Sequence, residues 1–162
     1  MDNLGLALIL LFYSSQTHAQ EIFLSYGLGA FNSSASLPSP TINGGYRYEL
    51  YNGFYWHLTG GYWKDNSTDP TRKSSAYFST GPGLLVDLNP VEIRNSVGLA
   101  AITNPDGYLG GSFPEFNEEI YVGLRDRHGN GIGVKYDHIS SAGIYQPNIG
   151  RDFIMLEVSS KW

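Results

Sequence analysis

Eight segments of the chain alternate between apolar side chains and side chains that are small, polar or charged. This period of two constrains the fold more than any other feature of the sequence. In the first segment, Ile22, Leu24 and Tyr26 alternate with Ser25 and Gly27. Successive side chains of a β-strand point to opposite sides, so each segment predicts a strand with one apolar side. The sequence therefore predicts an all-β chain of eight strands, each about ten residues long.

The other side of these strands carries most of the charge, which decides how the sheet is expected to close. The charged residues on that side are Arg47, Glu49, Asp87, Glu92, Arg94, Arg125, Lys135 and Glu157. A soluble barrel turns its apolar side inward, whereas an outer-membrane barrel turns its polar side inward and its apolar side to lipid. We therefore predict an eight-stranded antiparallel transmembrane β-barrel, with a soluble lipocalin-like barrel as the alternative. Side chains fill the interior of a barrel of this size, so no wide pore is expected.

Connection lengths and composition favour the same architecture. Long links at 32–40, 65–74, 104–115 and 141–151 alternate with short turns at 52–53, 89–90 and 126–130, as extracellular loops alternate with periplasmic turns. Charged residues make up only 15% of the chain and aromatic residues 14%.

The net charge of −5 excludes a broad basic surface for nucleic acid. The absence of cysteine excludes disulfides, thiolate metal sites and a cysteine nucleophile.

The N-terminal segment predicts export. Residues 4–13 read LGLALILLFY, which is too short for a membrane-spanning helix but fits the apolar region of a secretory signal. Thr17 and Ala19 are small residues at the positions that a signal peptidase reads, so we predict cleavage after Ala19. Residues 1–19 are then the signal peptide and residues 20–162 the barrel domain, with a buried N-terminal strand or helix as the alternative.

Three polar residues near the last two strands form a candidate catalytic group. His138 and Ser140 are two positions apart, so both extend the outward side of the seventh strand. Asp152 opens the eighth strand on its outward side, and antiparallel pairing should return it beside His138. A carboxylate, an imidazole and a hydroxyl in that order can activate a serine. The alternative is that these residues only bind lipid headgroups at the membrane interface.

The other histidines of the barrel domain have plainer interpretations. His57 lies on the inward side of the third strand, and we interpret it as an interior residue with its hydrogen bonds satisfied. His128 lies in a periplasmic turn, where a solvated role is expected. No two histidines show the spacing of metal ligands, so neither a metal nor a cofactor is expected.

Residues 136–152, YDHISSAGIYQPNIGRD, resemble the C-terminal signature of the outer-membrane lipid A 3-O-deacylases, also called acyloxyacyl hydrolases. The resemblance assigns the nucleophile to Ser140, the base to His138 and the acid to Asp152. Ala142 and Gly143 match a small pair, and Pro147 and Asn148 match a Pro-Asn pair. Ser141 departs from the signature, in which an asparagine that polarises the ester carbonyl is usual. The resemblance implies an oxyanion site formed by the backbone from Ser141 to Gly143, with Asn148 as a further donor.

The resemblance implies an outer-membrane serine esterase that hydrolyses the 3-O-linked hydroxyacyl chain of lipid A. Its partner would be lipopolysaccharide in the outer leaflet, and no metal is needed to activate the serine. The number of copies in the assembly stays open, a homodimer included. Two rival hypotheses remain: a non-enzymatic barrel with a structural or adhesin-like role, and a soluble lipid-binding barrel.

Overall fold

The chain forms one closed antiparallel β-barrel of eight strands in sequence order, as predicted. A computed structural model describes residues 19–30, 40–66, 72–105, 107, 109–146 and 149–162. The strands are β1 (Gln20–Ala30), β2 (Pro40–Tyr51), β3 (Phe54–Trp63), β4 (Ser75–Asp87), β5 (Val91–Ile102), β6 (Glu115–Arg125), β7 (Asn130–Ser140) and β8 (Arg151–Lys161). No helix among these residues is long and apolar enough to cross a membrane. The predicted signal segment lies outside the described residues except for Ala19.

The barrel closes where β1 pairs with β8, so the sheet has no free edge. The pairing runs from Glu21 opposite Lys161 to Ala30 opposite Asp152. This confirms the predicted pairing of the first strand with the last. Closure matters because lipid offers no hydrogen bonds to an unpaired backbone.

Alternation along each strand sorts the side chains as predicted. On β7, Val134 is 55% exposed on the outer wall, whereas its neighbour Lys135 is fully buried in the interior. Large apolar side chains cover the outer wall, among them Leu24, Leu58, Phe78, Val97, Ile120, Val122, Ile132, Ile154 and Leu156. A chain with this outer surface is stable where the surrounding medium is itself apolar.

The half of the interior nearer the short turns, which we predict to be periplasmic, is filled by paired charges. Arg47 donates to Glu157 at 2.8 and 2.9 Å. Arg94 lies 3.1 Å from both Glu157 and Glu21. Buried charges are tolerated only when they are paired, and here each guanidinium faces more than one carboxylate. The charged side chains therefore occupy the lumen.

The extracellular half of the interior is instead closed by an apolar cluster. Its members are Trp63, Tyr77, Ile102, Leu109, Ile139, Phe153 and Met155. Leu109 comes from the link between β5 and β6 and is fully buried, so this link packs into the barrel mouth. Ile139 and Phe153 place the cluster directly behind the ends of β7 and β8.

The structure corrects three details of the sequence interpretation. His57 is buried as expected, but within the described part of the chain neither ring nitrogen has a hydrogen-bond partner, so it is not satisfied. Asp87 shares the inward side of its partner Glu92 but does not lie in the interior, because it is exposed at the end of β4, where it accepts a hydrogen bond from the Asn89 amide at 2.9 Å. The link predicted at 104–115 runs instead from 103 to 114, since β5 ends at Ile102 and Glu115 already begins β6.

The short turn between β6 and β7 shows how the periplasmic end is held. Asp126 accepts hydrogen bonds from the backbone amides of His128 and Asn130 at 2.8 and 2.9 Å. Its carboxylate also accepts from the Asn130 side chain at 3.1 Å. These bonds, the side-chain bond from Asn130 first, hold the pKa of Asp126 below its usual range. His128 is exposed here, in agreement with its predicted position in a turn.

Candidate active site

Strand register brings His138 and Asp152 side by side on the outer wall. The two residues are direct partners in the pairing of β7 with β8. His138 Nδ1 lies 2.7 Å from Asp152 Oδ1, so an imidazole with its proton on Nδ1 donates to the carboxylate. Their side chains are 29% and 13% exposed, respectively. The predicted contact between His138 and Asp152 is therefore present in the structure.

Ser140 ends β7 on the same outward side as His138 and is half-buried. It pairs with Phe116 of β6. In the described part of the chain, no hydrogen bond joins the Ser140 hydroxyl to His138. Catalytic hydrogen bonds in ligand-free sites often tighten only when substrate binds. The structure thus places Ser140 and His138 on one face without a hydrogen bond between them.

Gly150 completes the surroundings of the imidazole and was not identified from the sequence. If the register of β7 and β8 continued by one step, Gly150 would lie opposite Ser140. A Cβ atom at Gly150 would lie 2.7 Å from Cε1 of His138 and 3.3 Å from its Nε2. Its φ of +80° also favours glycine. The missing side chain therefore leaves room for the Nε2 edge of the ring, on the side of Ser140.

A tight turn follows Ser140. The Ile144 amide donates to the Ser141 carbonyl at 3.0 Å, and Ala142 and Gly143 have φ values of +49° and +85°. None of the hydrogen bonds among the described residues uses the amide of Ala142 or Gly143. Left-handed φ at a non-glycine residue costs about 1–3 kcal/mol and is concentrated at functional sites. Two adjacent amides are thus available close to Ser140.

Ser141 has a different environment from the one that its place in the signature implies. Its side chain is fully buried. Its hydroxyl donates to the Tyr145 carbonyl and accepts from the Tyr145 amide, both at 3.3 Å. The Tyr145 hydroxyl in turn donates to the Phe113 carbonyl, which ties this turn to the link before β6. Pro147 and Asn148 lie outside the described residues, so their predicted role stays a prediction.

Two further polar residues on the outer wall adjoin the pair. The Tyr136 hydroxyl donates to Asp152 Oδ1 at 2.6 Å. Glu118 is the partner of His138 on β6 and is exposed on the outward side. Neither was singled out from the sequence, although both have the outward parity of His138 and Ser140. Parity could have identified them, because tyrosine and glutamate are polar residues on an otherwise apolar wall.

Behind this site, the inward residue Asp137 of β7 is held by several hydrogen bonds in the interior. Asp137 accepts hydrogen bonds from the Tyr77 hydroxyl at 2.8 Å and from Asn43 at 3.0 Å. Asn117 donates to the same carboxylate and also to the His138 carbonyl at 3.4 Å. Since Asp137 lies between Tyr136 and His138, these interior bonds fix the backbone from which both outward side chains project.

The fold is shared with solved outer-membrane barrels. The crystal structure of the outer membrane enzyme PagL superposes with a TM-score of 0.63 at 23% identity, covering 85% of this chain and 98% of that one. A de novo designed transmembrane β-barrel gives 0.59 at 12% identity, covering 91% and 98%. The attachment invasion locus protein Ail of Yersinia pestis gives 0.57 at 10% identity, covering 91% and 100%. At these identities the likeness concerns the fold alone.

The sequence comparison is more specific. No curated protein matches the chain. The profile of one family, described as lipid A 3-O-deacylase (PagL), matches residues 41–161, which include seven of the eight strands and all the site residues described above. The chain therefore belongs to the lipid A 3-O-deacylase family of outer-membrane β-barrels.

Proposed function

We propose that the protein is a serine esterase of the outer membrane that hydrolyses the 3-O-linked hydroxyacyl chain of lipid A. One observation carries this proposal: a hydrogen-bonded acid–base pair, Asp152 and His138, faces lipid with a serine hydroxyl next along the same face. An adhesin-like or structural barrel has no use for that pair. Family membership supports lipid A as the substrate.

In the first half of the reaction, His138 Nε2 takes the proton of the Ser140 hydroxyl while Ser140 Oγ attacks the ester carbonyl. Asp152 holds the ring by its Nδ1 proton and stabilises the imidazolium that forms. The tetrahedral intermediate collapses, and the glucosamine 3-oxygen leaves with the proton from His138. The acyl chain stays on Ser140 as an ester.

In the second half, a water molecule gives its proton to His138 and attacks the acyl-enzyme. Collapse of this second intermediate breaks the bond to Ser140 Oγ, which recovers its proton from His138. The products are a free 3-hydroxy fatty acid and the original enzyme. Backbone amides of Ala142 and Gly143 would bind the oxyanion in both halves, with Asn148 as a further donor.

We further propose that the Ser141 hydroxyl supports the oxyanion site indirectly. Its bonds to Tyr145 hold the turn that carries the two amides. The acyl chain would lie below the site along the apolar outer wall, which is formed by Val134 of β7 and by Ile120 and Ile154 of the strands on either side. The sugar would then remain at the level of the extracellular loops, as expected for a substrate anchored in the outer leaflet.

Mass spectrometry of lipid A tests the proposal. The protein is expressed in a Gram-negative host whose lipid A carries a 3-O-linked hydroxyacyl chain, with Ser140→Ala as the matched control. We expect lipid A to lose the mass of one hydroxyacyl chain with the wild-type protein only. Unchanged lipid A in both strains would favour the structural or adhesin-like alternative, provided that heat-modifiable migration on gels shows both barrels to be folded.

In the same material, N-terminal sequencing tests the proposed cleavage after Ala19.

A further inference from the structure

One carboxylate oxygen of Asp152 accepts two hydrogen bonds. Tyr136 donates to Oδ1 from 2.6 Å, and His138 Nδ1 lies 2.7 Å from the same atom. Tyr136 and His138 are neighbours on the outward side of β7, and Asp152 lies opposite His138 on β8. The three side chains therefore form a chain of contacts across two strands, with Asp152 Oδ1 at its centre.

The hydrogen bond from Tyr136 matters because Asp152 lies at a site with little water. The Asp152 side chain is only 13% exposed, and beyond the polar residues of the site the outer wall consists mainly of large apolar side chains. Water, which would otherwise orient and stabilise a carboxylate, is scarce at such a place. A phenol hydroxyl held on the ring-facing oxygen keeps that oxygen directed at His138.

Two other tyrosines on the outer wall do not share this arrangement. Tyr26 and Tyr62 are exposed on the same lipid-facing surface. Among the described residues, neither of their hydroxyls forms a hydrogen bond to a side chain. An aromatic residue that serves only at the membrane interface needs no such partner. The contact of Tyr136 with the acid thus sets it apart from these two tyrosines.

We propose that Tyr136 is a positioning residue of the candidate site: its hydroxyl fixes Asp152 Oδ1 so that the carboxylate holds His138 for proton transfer. Tyr136 acts through Asp152 and does not touch the reacting ester. The kinetic part of this inference rests on the proposed esterase function, whereas the hydrogen-bond geometry can be tested without it.

The first test is activity-independent. Proton NMR of the refolded barrel in detergent micelles should show a low-field resonance from the proton between His138 Nδ1 and Asp152, assigned by its loss in His138→Gln and Asp152→Ala. Tyr136→Phe should shift or broaden this resonance, whereas Tyr62→Phe, the matched control, should leave it unchanged. An unaltered resonance in Tyr136→Phe would overturn the proposal. Tyr136→Leu gives the same comparison if the phenylalanine variant does not refold.

The second test separates positioning from substrate contact. Tyr136→Phe should lower kcat by about 10- to 100-fold, as loss of an outer hydrogen-bond partner does at other sites, with KM changed by less than about 2-fold. In the Asp152→Ala background, the same substitution should cause no further loss, because Tyr136 acts only through that carboxylate. An equal loss in both backgrounds, or a raised KM with unchanged kcat, would overturn the proposal. If the wild-type protein releases no acyl chain, the esterase function fails and the NMR result still decides the role of Tyr136.

Discussion

Ser140 and His138 can perform the proposed reaction only as a unit, since the hydroxyl is a weak nucleophile until the imidazole removes its proton. We expect Ser140→Ala and His138→Ala each to abolish acyl release, and the double variant to be scarcely worse than either single one. Purified protein in detergent, supplied with lipid A, gives the rates. Full activity in Ser140→Ala would end the serine-esterase interpretation.

Gly150 tests whether space beside the imidazole matters. Gly150→Ala should lower the rate strongly, because its Cβ would lie 2.7 Å from Cε1 of His138. Gly129→Ala is the control, since Gly129 has a φ of +87° and its Cβ would lie 2.5 Å from the Lys161 carbonyl oxygen, at the other end of the barrel. Both variants strain the backbone, so thermal stability should fall in both, whereas activity should fall only in Gly150→Ala. Similar activities would show that the glycine only serves the backbone.

The sequence could predict the contact of His138 with Asp152, because both residues have outward parity and antiparallel pairing follows from the connecting link. It could not predict the bond from Tyr136 to Asp152, which depends on side-chain rotamers, nor the space that Gly150 leaves. Ser141 illustrates the same limit. Its position in the signature pointed to the oxyanion, whereas the fold of the turn directs its hydroxyl to Tyr145.

At the scale of a strand, β7 depends on its alternation. Val134→Arg places a charge on the lipid-facing side near the middle of β7 and should destabilise the barrel by about 2–4 kcal/mol. Val134→Leu is the control, because it keeps the surface apolar. The fraction of folded protein after urea titration in lipid vesicles measures the difference. Equal stability of the two variants would mean that this side of β7 does not meet hydrocarbon.

The number of strands and the side on which each residue lies were predictable because the period of two repeats in every strand. The residues at which the strands begin and end were less predictable, since a loop with alternating polarity resembles a strand. Glu115 belongs to β6 rather than to the preceding link because it is buried while Phe116 faces outward, which continues the alternation. Asp87 lies outside the interior because β4 ends at this residue, and its carboxylate accepts a hydrogen bond from a backbone amide of the following turn.

For the whole molecule, paired charges fill one half of the interior and an apolar cluster fills the other. Glu157→Gln keeps the shape of the side chain but removes the charge that faces Arg47, Arg94 and Lys135. Breaking a buried network in this way should cost about 3–5 kcal/mol in the free energy of unfolding. The same change at Glu49, whose partner Lys161 lies 2.7 Å away at the exposed rim, should cost about 1 kcal/mol or less. Denaturant titration compares the free energies of unfolding of Glu157→Gln and Glu49→Gln. Equal losses in the two variants would contradict a stabilising role for the buried charges.

Because His138 and Asp152 lie on the outer wall of a closed barrel, a lipid substrate would reach the proposed site sideways, from within the bilayer. Substrate encounter is then a two-dimensional search, and the relevant concentration is the mole fraction of lipid A among its neighbours rather than its amount per litre. Diluting mixed micelles with inert detergent at constant total substrate should therefore slow the reaction. Adding buffer to the same micelles should not.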